Sequence, residues 1–333
     1  MRGKAQMIKF RFGKDLDIIK LKGGVINDPK KELKRIQKIQ RLFETEENVE
    51  AVGQCYSCGS PRRNNVIHAK VAYAECESCG LVYATRRIKA EVIKEFYRTN
   101  KAYSSTYTSK QTAQERLNDV FRPKVQHVLD LHDQTYFPIE AMWLDIGAGG
   151  GHAVKCALDA KCMADGVEPN VESRRFALKT WGIKLMPKMP DDGYYEIISL
   201  FGVLEHVIDP IGLLKSAREF MMDDSAMVIQ VPNYDSHTTN LQKTHPEFIT
   251  RHAEPTCHLM LFTLPSLKIM LDKVGLKLYS VWHLGLDMYE EALHNYFLHK
   301  IPMKKSLKDF NKLQQPINEM GMGDDLLVTA VRK

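Results

Sequence analysis

The chain has no apolar run approaching the ~18 to 20 residues that a bilayer-spanning helix needs. Its first residues, Met1-Arg2-Gly3-Lys4-Ala5-Gln6, lead into a charged segment and not into a signal-peptide core. Together these absences point to a cytoplasmic protein. A large excess of one charge sign is lacking as well: a formal net charge of +6 over 333 residues permits a phosphorylated or nucleic-acid partner without demanding one. What is present suits a globular enzyme. With 44% apolar and 26% charged residues, a chain of this length can bury a sizeable core and is expected to hold one large domain and one small one.

The cysteines locate the small one. Four of the seven are arranged as Cys55-x2-Cys58 and Cys76-x2-Cys79, with 17 residues between the pairs. Two intervening residues let both thiolates of a pair reach one ion through a tight knuckle, and Gly59 and Gly80 follow each pair where the chain must bend back. The expectation is a structural Zn2+ held by Cys55, Cys58, Cys76 and Cys79, closed to chemistry because four thiolates leave no open position. Disulfides are the alternative, disfavoured without an export signal; a redox role is disfavoured because neither pair precedes a thioredoxin-like βαβ pattern. Cys156, Cys162 and Cys257 lack such spacing and read as core or incidental thiols.

The large domain is marked by Trp143-Leu144-Asp145-Ile146-Gly147-Ala148-Gly149-Gly150-Gly151-His152, an apolar strand running into glycines. Glycine permits the turn from strand to helix and lets a ligand approach the backbone closely. The dinucleotide fingerprint wants a third glycine where His152 stands, so a dinucleotide is not the expected ligand; a tight turn with no ligand is the plain alternative. Glu168, in Val167-Glu168-Pro169-Asn170, lies 21 positions after Gly147, where a second strand should end and a carboxylate can accept hydrogen bonds from both hydroxyls of a ribose. Residues 195–207, ending Phe201-Gly202-Val203-Leu204-Glu205-His206-Val207, read as a buried parallel strand, a turn and a short helix.

These three elements resemble the class I S-adenosylmethionine-dependent methyltransferases: Asp145, Gly147, Gly149 and Gly151 match motif I, Glu168 the ribose-binding acid, and Leu204-Glu205-His206 the V-L-E-H segment at the exit of strand four. The resemblance implies S-adenosylmethionine as cofactor, with Phe201, Leu204, Glu205 and His206 edging it; for Glu205 and His206, capping or structural hydrogen bonding is the competing explanation. Such enzymes often carry an acid after strand three for the adenine amino group. Here Leu185-Met186-Pro187-Lys188-Met189-Pro190 has none before Asp191, so backbone near Lys188 and the Met189 side chain are the expected substitutes. The order of cysteine pairs, Cys79-Gly80-Leu81-Val82-Tyr83, a tyrosine-bearing linker and motif I further resembles bacterial methyltransferases with an N-terminal cysteine-rich module, many of them associated with sugar, surface-polysaccharide or natural-product pathways. In that group the linker closes over the cofactor, which makes Tyr97, Tyr103 and Tyr107 candidate lid residues. Packing of aromatics at helix ends is the alternative.

The expected fold is α/β: a doubly wound seven-stranded sheet with a small N-terminal zinc ribbon, and the resemblance implies that its last strand, near 326–331, enters antiparallel between strands five and six. Strands are expected at 142–146, 163–167, 183–186, 196–201, 226–231 and 277–282, and helices at 152–159, 171–181, 210–220 and from 264, with Ser266 or Thr263 as N-cap. The domain reading is 1–50, a hairpin (7–12 with 18–21) and a charged helix (28–46) matching no nameable motif; 51–85, the ribbon; 86–140, a helical linker or lid; and 141–333, the methyltransferase domain with a helical insertion at about 287–316.

Methyl transfer to a hydroxyl needs alignment of donor and acceptor and a base for the acceptor's proton. Histidine suits the second task. His258-Leu259-Met260-Leu261-Phe262-Thr263 resembles the H-L-x-x-F-T element of these enzymes, so His258 is the first candidate base, with His206 and His252 in reserve; a structural histidine in a long loop is the alternative. The leading function is O-methylation of a small polar acceptor, a sugar or nucleotide-sugar on resemblance alone, with C-methylation of a keto-sugar left open. An RNA methyltransferase whose ribbon contacts nucleic acid through Arg62, Arg63, Lys70, Arg86 and Arg87 is the second reading, against which stand few aromatics there and no N-P-P-Y-type motif. The third is a catalytically silent scaffold.

Overall fold

The computed structural model describes residues 7–30, 34, 46–68, 71–99, 108–110, 112–133, 141–245 and 258–333. Its main sheet contains seven strands: β1 (Lys9–Phe12), β7 (Met142–Ile146), β8 (Met163–Val167), β9 (Tyr195–Phe201), β10 (Met221–Pro232), β12 (Leu276–Leu284) and β13 (Asp325–Arg332), in the order β1-β12-β13-β10-β9-β7-β8. β7, β8, β9 and β10 run parallel, whereas β13 is antiparallel to both its neighbours, β10 and β12. β9 reads Y-E-I-I-S-L-F and is buried along almost its whole length. That continuous apolar run is what a parallel strand needs when helices cover both faces of the sheet.

Local signals set the ends of those helices. Asn170 caps Val171–Trp181 by accepting from the Ser173 N–H, and Asp209 caps Pro210–Glu219, where Pro210 occupies a first-turn position that needs no N–H. Thr263, and not Ser266, caps Leu264–Lys273, in a reciprocal pair with Ser266. His152 opens the helix His152–Asp159 and is buried against Phe121, with ring centroids 5.3 Å apart, and edge-on to Trp181 at 5.7 Å. Burial, helped by the charge of Arg116, pushes its pKa down to about 3, so it is a neutral packing group there.

Two expectations are corrected. Residues 183–186 do not form a full third strand; pairing with β8 is reduced to one parallel bridge, Val167 to Met186, in a segment broken by Pro187 and Pro190. The N-terminal hairpin is absent. β1 instead adds to the far edge of the main sheet, parallel to β12, and Ile18–Asn27 is a helix capped by Asp17. β1 is tied down by Trp282 Nε1 donating to the Gly13 carbonyl at 2.9 Å and by Arg11 over the Trp282 ring at 3.9 Å. Apolar residues of the following helix, Ile18, Leu21 and Ile26, share a buried cluster with Leu293, Leu307 and Phe310 of the late helical segment. That segment comprises the helices Asp287–His299, Met303–Ser306 and Phe310–Glu319. Of the expected charged helix at 28–46, residues 29, 30 and 34 are helical and most of the remainder lies outside the described residues.

The cysteine-rich segment forms β3 (Arg63–His68), β4 (Val71–Cys76) and β5 (Val82–Ala84), paired antiparallel. Its sheet has a fourth strand from far along the chain, β11 (Met260–Leu261), antiparallel to β5. β2 (Val49–Ala51) and β6 (Arg86–Ile88) pair beside it. Helix Ala90–Thr99 and a helical stretch from Ala113 to Asp133, with a π-helical section at Arg116–Phe121, lead to β7. Cys156 and Cys162 are buried free thiols; Cys257 lies outside the described residues. Among the described residues no helix is long and apolar enough to cross a membrane.

β7 also carries an acid into the core. Asp145 is fully buried, accepting from Ser199 Oγ at 2.6 Å while Ser199 Oγ accepts from Trp143 Nε1 at 2.8 Å. Burial raises its pKa to about 7, opposed by the Ser199 bond and reinforced by the charge of Glu168. A carboxyl raised in this way favours the fold fully below its unfolded value, near 3.8, and loses that contribution as pH rises through about 7. Asp145→Asn removes the titration. In urea melts across pH, wild type is expected to lose stability relative to Asp145→Asn between about pH 4 and 7 and to run parallel to it above; a difference that stays constant with pH would refute the raised pKa.

Candidate functional site

Strand order reverses between β7 and β9, and at their carboxyl ends, with that of β8, the chain leaves a cavity of about 490 Å³. This is the crevice where doubly wound sheets hold ligands. Ile146 and Gly147 follow from β7, Val167, Glu168 and Pro169 from β8, and Gly202, Val203, His206, Val207 and Ile208 from the exit of β9. Pro187, Lys188 and Met189 line it from the reduced third strand, Ala90 from the linker helix and Leu213 from Pro210–Glu219.

The glycines of the turn do different jobs. Gly147, Gly149 and Gly151 all have positive φ, at 75°, 52° and 75°. A Cβ on Gly147 would lie 2.5 Å from Val203 Cγ2 at the cavity wall, so glycine there is required by both conformation and space. At Gly151 a Cβ would meet Ala177, with Trp181 and Leu185 beyond; helix packing, and not the cavity, excludes a side chain. The turn is fastened to β8: the N–H groups of Gly147 and Ala148 donate to the Val167 carbonyl at 2.8 and 2.9 Å. The Gly149 N–H donates to Glu168 Oε2 at 2.8 Å and the Asn170 N–H to Glu168 Oε1 at 2.7 Å. Burial raises the Glu168 pKa, although both N–H groups and Arg174 oppose the shift. A carboxylate has about four acceptor positions and two are used here, which leaves capacity facing the cavity for a diol.

The remaining expected residues divide clearly. Met189 and His206 line the cavity. Asp145 lies between strands, as above, and Leu204 is completely buried in the main core. Phe201 ends β9 and packs edge-on to Phe121 at 6.0 Å. Glu205 is 4% exposed, and burial raises its pKa to about 8. Its carbonyl accepts from the Leu259 N–H at 2.7 Å, which draws the segment carrying His258 against it; the His206 and His258 rings stand 4.8 Å apart. Tyr103, Tyr107 and His252 lie outside the described residues, as does the side chain of Tyr97. Sequence reasoning missed the apolar wall of Val203, Val207, Ile208 and Leu213, and Ala90. Val203 and Val207 lay inside the segment 201–207 and Ile208 next to it, so their spacing on a short helical turn was the available signal; Ala90, 57 residues before Gly147, had none.

The four cysteines converge as their spacing implied. Their sulfur atoms all lie within 4.8 Å of one another, with Cys55 to Cys79 at 3.5 Å and Cys58 to Cys76 at 3.3 Å. Thiolates around a tetrahedral zinc at ~2.3 Å stand ~3.8 Å apart, whereas a disulfide needs ~2.05 Å, so the donor set fits the ion and not a bridge. The two knuckles are alike: the Gly59 N–H donates to the Cys55 carbonyl at 2.9 Å and the Gly80 N–H to the Cys76 carbonyl at 2.8 Å, both glycines at positive φ. Of the ribbon's cations, Arg63 donates to the Val52 carbonyl and Arg87 pairs with Glu50 and contacts Tyr56.

No curated protein sequence matches the chain. Among solved structures, the magnesium protoporphyrin IX methyltransferase of Synechocystis PCC 6803, solved with S-adenosylhomocysteine, is similar at 12% identity and a TM-score of 0.47, covering 74% of this chain and all of that one. The plantazolicin methyltransferase BamL is similar at 14% identity and 0.46, covering 73% and 98%. The Burkholderia thailandensis 1,6-didemethyltoxoflavin-N1-methyltransferase is similar at 14% identity and 0.45, covering 82% and 99%. A sequence profile described as a methyltransferase domain matches residues 114–281, half of the chain, taking in the glycine turn, Glu168, the Glu205-His206 turn and His258. The chain belongs to the methyltransferase domain family.

Proposed function

We propose that the cavity binds S-adenosylmethionine and that the protein transfers its methyl group to an oxygen of a small polar acceptor, a sugar or nucleotide-sugar. The observation that carries this reading is the buried Glu168 carboxylate, anchored by the glycine turn at one end of a largely apolar cavity whose other wall holds His206. When bound, S-adenosylmethionine supplies a methyl group already activated by its sulfonium. Glu168 would take the ribose hydroxyls, and Met189 and the backbone of Lys188 the adenine, in place of the acid absent after the third strand. Gly147 leaves the room that a side chain would fill. In the transfer the acceptor oxygen gains a bond to carbon as the carbon–sulfur bond breaks, and the hydroxyl proton must leave. The imidazoles of His206 and His258, whose rings lie 4.8 Å apart, are the groups we assign to take that proton. The ribbon, on this reading, is a zinc module that holds the wall carrying His258, and the linker lines the cavity through Ala90 of the helix Ala90–Thr99.

Three outcomes are expected. Glu168→Ala should weaken S-adenosylhomocysteine binding by ~10- to 100-fold in calorimetry, since charge-assisted hydrogen bonds to a diol contribute ~1.5 to 3 kcal/mol; equal affinity would remove the ribose assignment. His258→Ala should lower turnover by ~10²- to 10⁴-fold with cofactor affinity nearly intact. Turnover is read with methyl-labelled S-adenosylmethionine and a cell extract, and nuclease-sensitive label in polymer would replace the sugar reading with RNA. Elemental analysis should find one zinc per chain beside intact cofactor binding, and stripping it with a chelator should lower the melting temperature; a metal-free protein of unchanged stability would refute the zinc module.

A further inference from the structure

We infer that Glu205, His206 and His258 form a second metal site, one that takes a divalent transition-metal ion at the acceptor side of the cavity. The inference rests on the methyl-transfer reading above and deepens it. One carboxylate oxygen of Glu205 and one ring nitrogen each of His206 and His258 lie within 4.8 Å of one another. His206 Nε2 and Glu205 Oε1 are 3.8 Å apart, too long for a hydrogen bond and short enough to share an ion.

The carboxylate is the independent observation. Glu205 is 4% exposed, and its Oε2 has no hydrogen-bond partner among the described residues. An ionised carboxylate in that position carries a large desolvation penalty unless a cation or donors meet it. The field of Asp325 bears on the same carboxyl, adding negative charge where a cation would sit. The three residues are also held from behind, as ligands must be. The His206 N–H donates to the Val203 carbonyl, the Leu259 N–H to the Glu205 carbonyl at 2.7 Å, and the Tyr73 hydroxyl to the His258 carbonyl at 3.2 Å. Gly202 adds no side chain: a Cβ there would stand 3.5 Å from Glu205 Oε1.

Two imidazoles and one carboxylate suit first-row divalent ions and leave coordination positions open, unlike the closed set of four thiolates. An acceptor hydroxyl bound at an open position has its pKa lowered by the ion and can release its proton to solvent before the methyl group arrives. On this view the histidine pair acts through the ion, as ligands.

The test uses the full chain with its ribbon zinc in place, titrated with Mn2+ and separately with Ni2+, ions that suit imidazole and carboxylate better than thiolate. One equivalent of at least one ion should bind. Glu205→Gln and His258→Ala should each weaken that binding by ~10-fold or more, since loss of an outer-shell partner alone costs about that much. Cofactor affinity and the melting profile of the same samples check the fold. Uptake of neither ion by wild type overturns the site, and so does uptake that both variants retain. Loss of S-adenosylhomocysteine binding with uptake intact would instead sink the methyl-transfer reading and leave the cation site standing.

Discussion

The pairing of Met260–Leu261 with Val82–Tyr83 is the contact on which the arrangement of this protein turns. Among the described residues two of the later segment, Met260 and Leu261, join the cysteine-rich sheet, yet the bonds around them reach both ways. The Ala84 N–H donates to the Leu259 carbonyl, the Leu259 N–H donates to Glu205, and the Tyr73 hydroxyl reaches His258. Lys273, on the helix that follows, donates to the Ser57 carbonyl inside the first cysteine knuckle at 2.8 Å. The ribbon is therefore not a bead on a linker. A knuckle that loosened would free the strand that holds β11, and with it the backbone that sets His258 against His206. The zinc proposed for the four cysteines, closed to chemistry itself, would in this way still govern where His206 and His258 stand.

The cavity follows from topology with the same economy. β7 is followed in sequence by a strand on one side of it and then by β9 on the other, so the turns leaving β7 and β9 diverge and expose the sheet end between them. Gly147 and Val203 close its floor in van der Waals contact, which is why a β-branched residue can follow Gly202 only if glycine stands opposite. Phe121, His152 and Trp181 fill the neighbouring space with stacked and edge-on rings. His152 is thus fixed by packing, and its place where a dinucleotide site wants glycine has a structural cause.

Much of this was legible because each signal was local. β7, β8 and the two helices between and after them have the bounds expected from the sequence, and the antiparallel β13 stands between β10 and β12 as the resemblance required. The cysteine knuckles were legible for the same reason: the glycine after each pair closes a turn within five residues. What escaped was set by partners distant in sequence. Lys9–Phe12 alternates like one arm of a hairpin, but its partner is Ser280–His283, some 270 residues on, and no local pattern names it. Ile18–Leu21 then lacks a strand to pair with and takes the helix that Asp17 caps, burying Ile18 and Leu21 against helices past residue 286. The prolines that flank 188–189 explain the lost third strand after the fact; their weight against the apolar run before them was not decidable from spacing.

Placement of the acids was legible only by type. Asp145, Glu168 and Glu205 each read as a ligand contact, yet the chain treats them differently. Asp145 answers to Ser199 within the sheet, and Glu168 to two backbone N–H groups that leave half its acceptor capacity over the cavity. Among the described residues, Glu205 keeps one oxygen unmet. All three have raised pKa values with burial as the first cause, so the sheet end concentrates carboxyl groups in a space of low dielectric. Such a cluster works against the stability of the empty fold at neutral pH and favours positive charge entering it. A sulfonium donor and a divalent cation are both positive. The same burial that strains the unliganded protein is therefore a source of its selectivity for the ligands proposed for it.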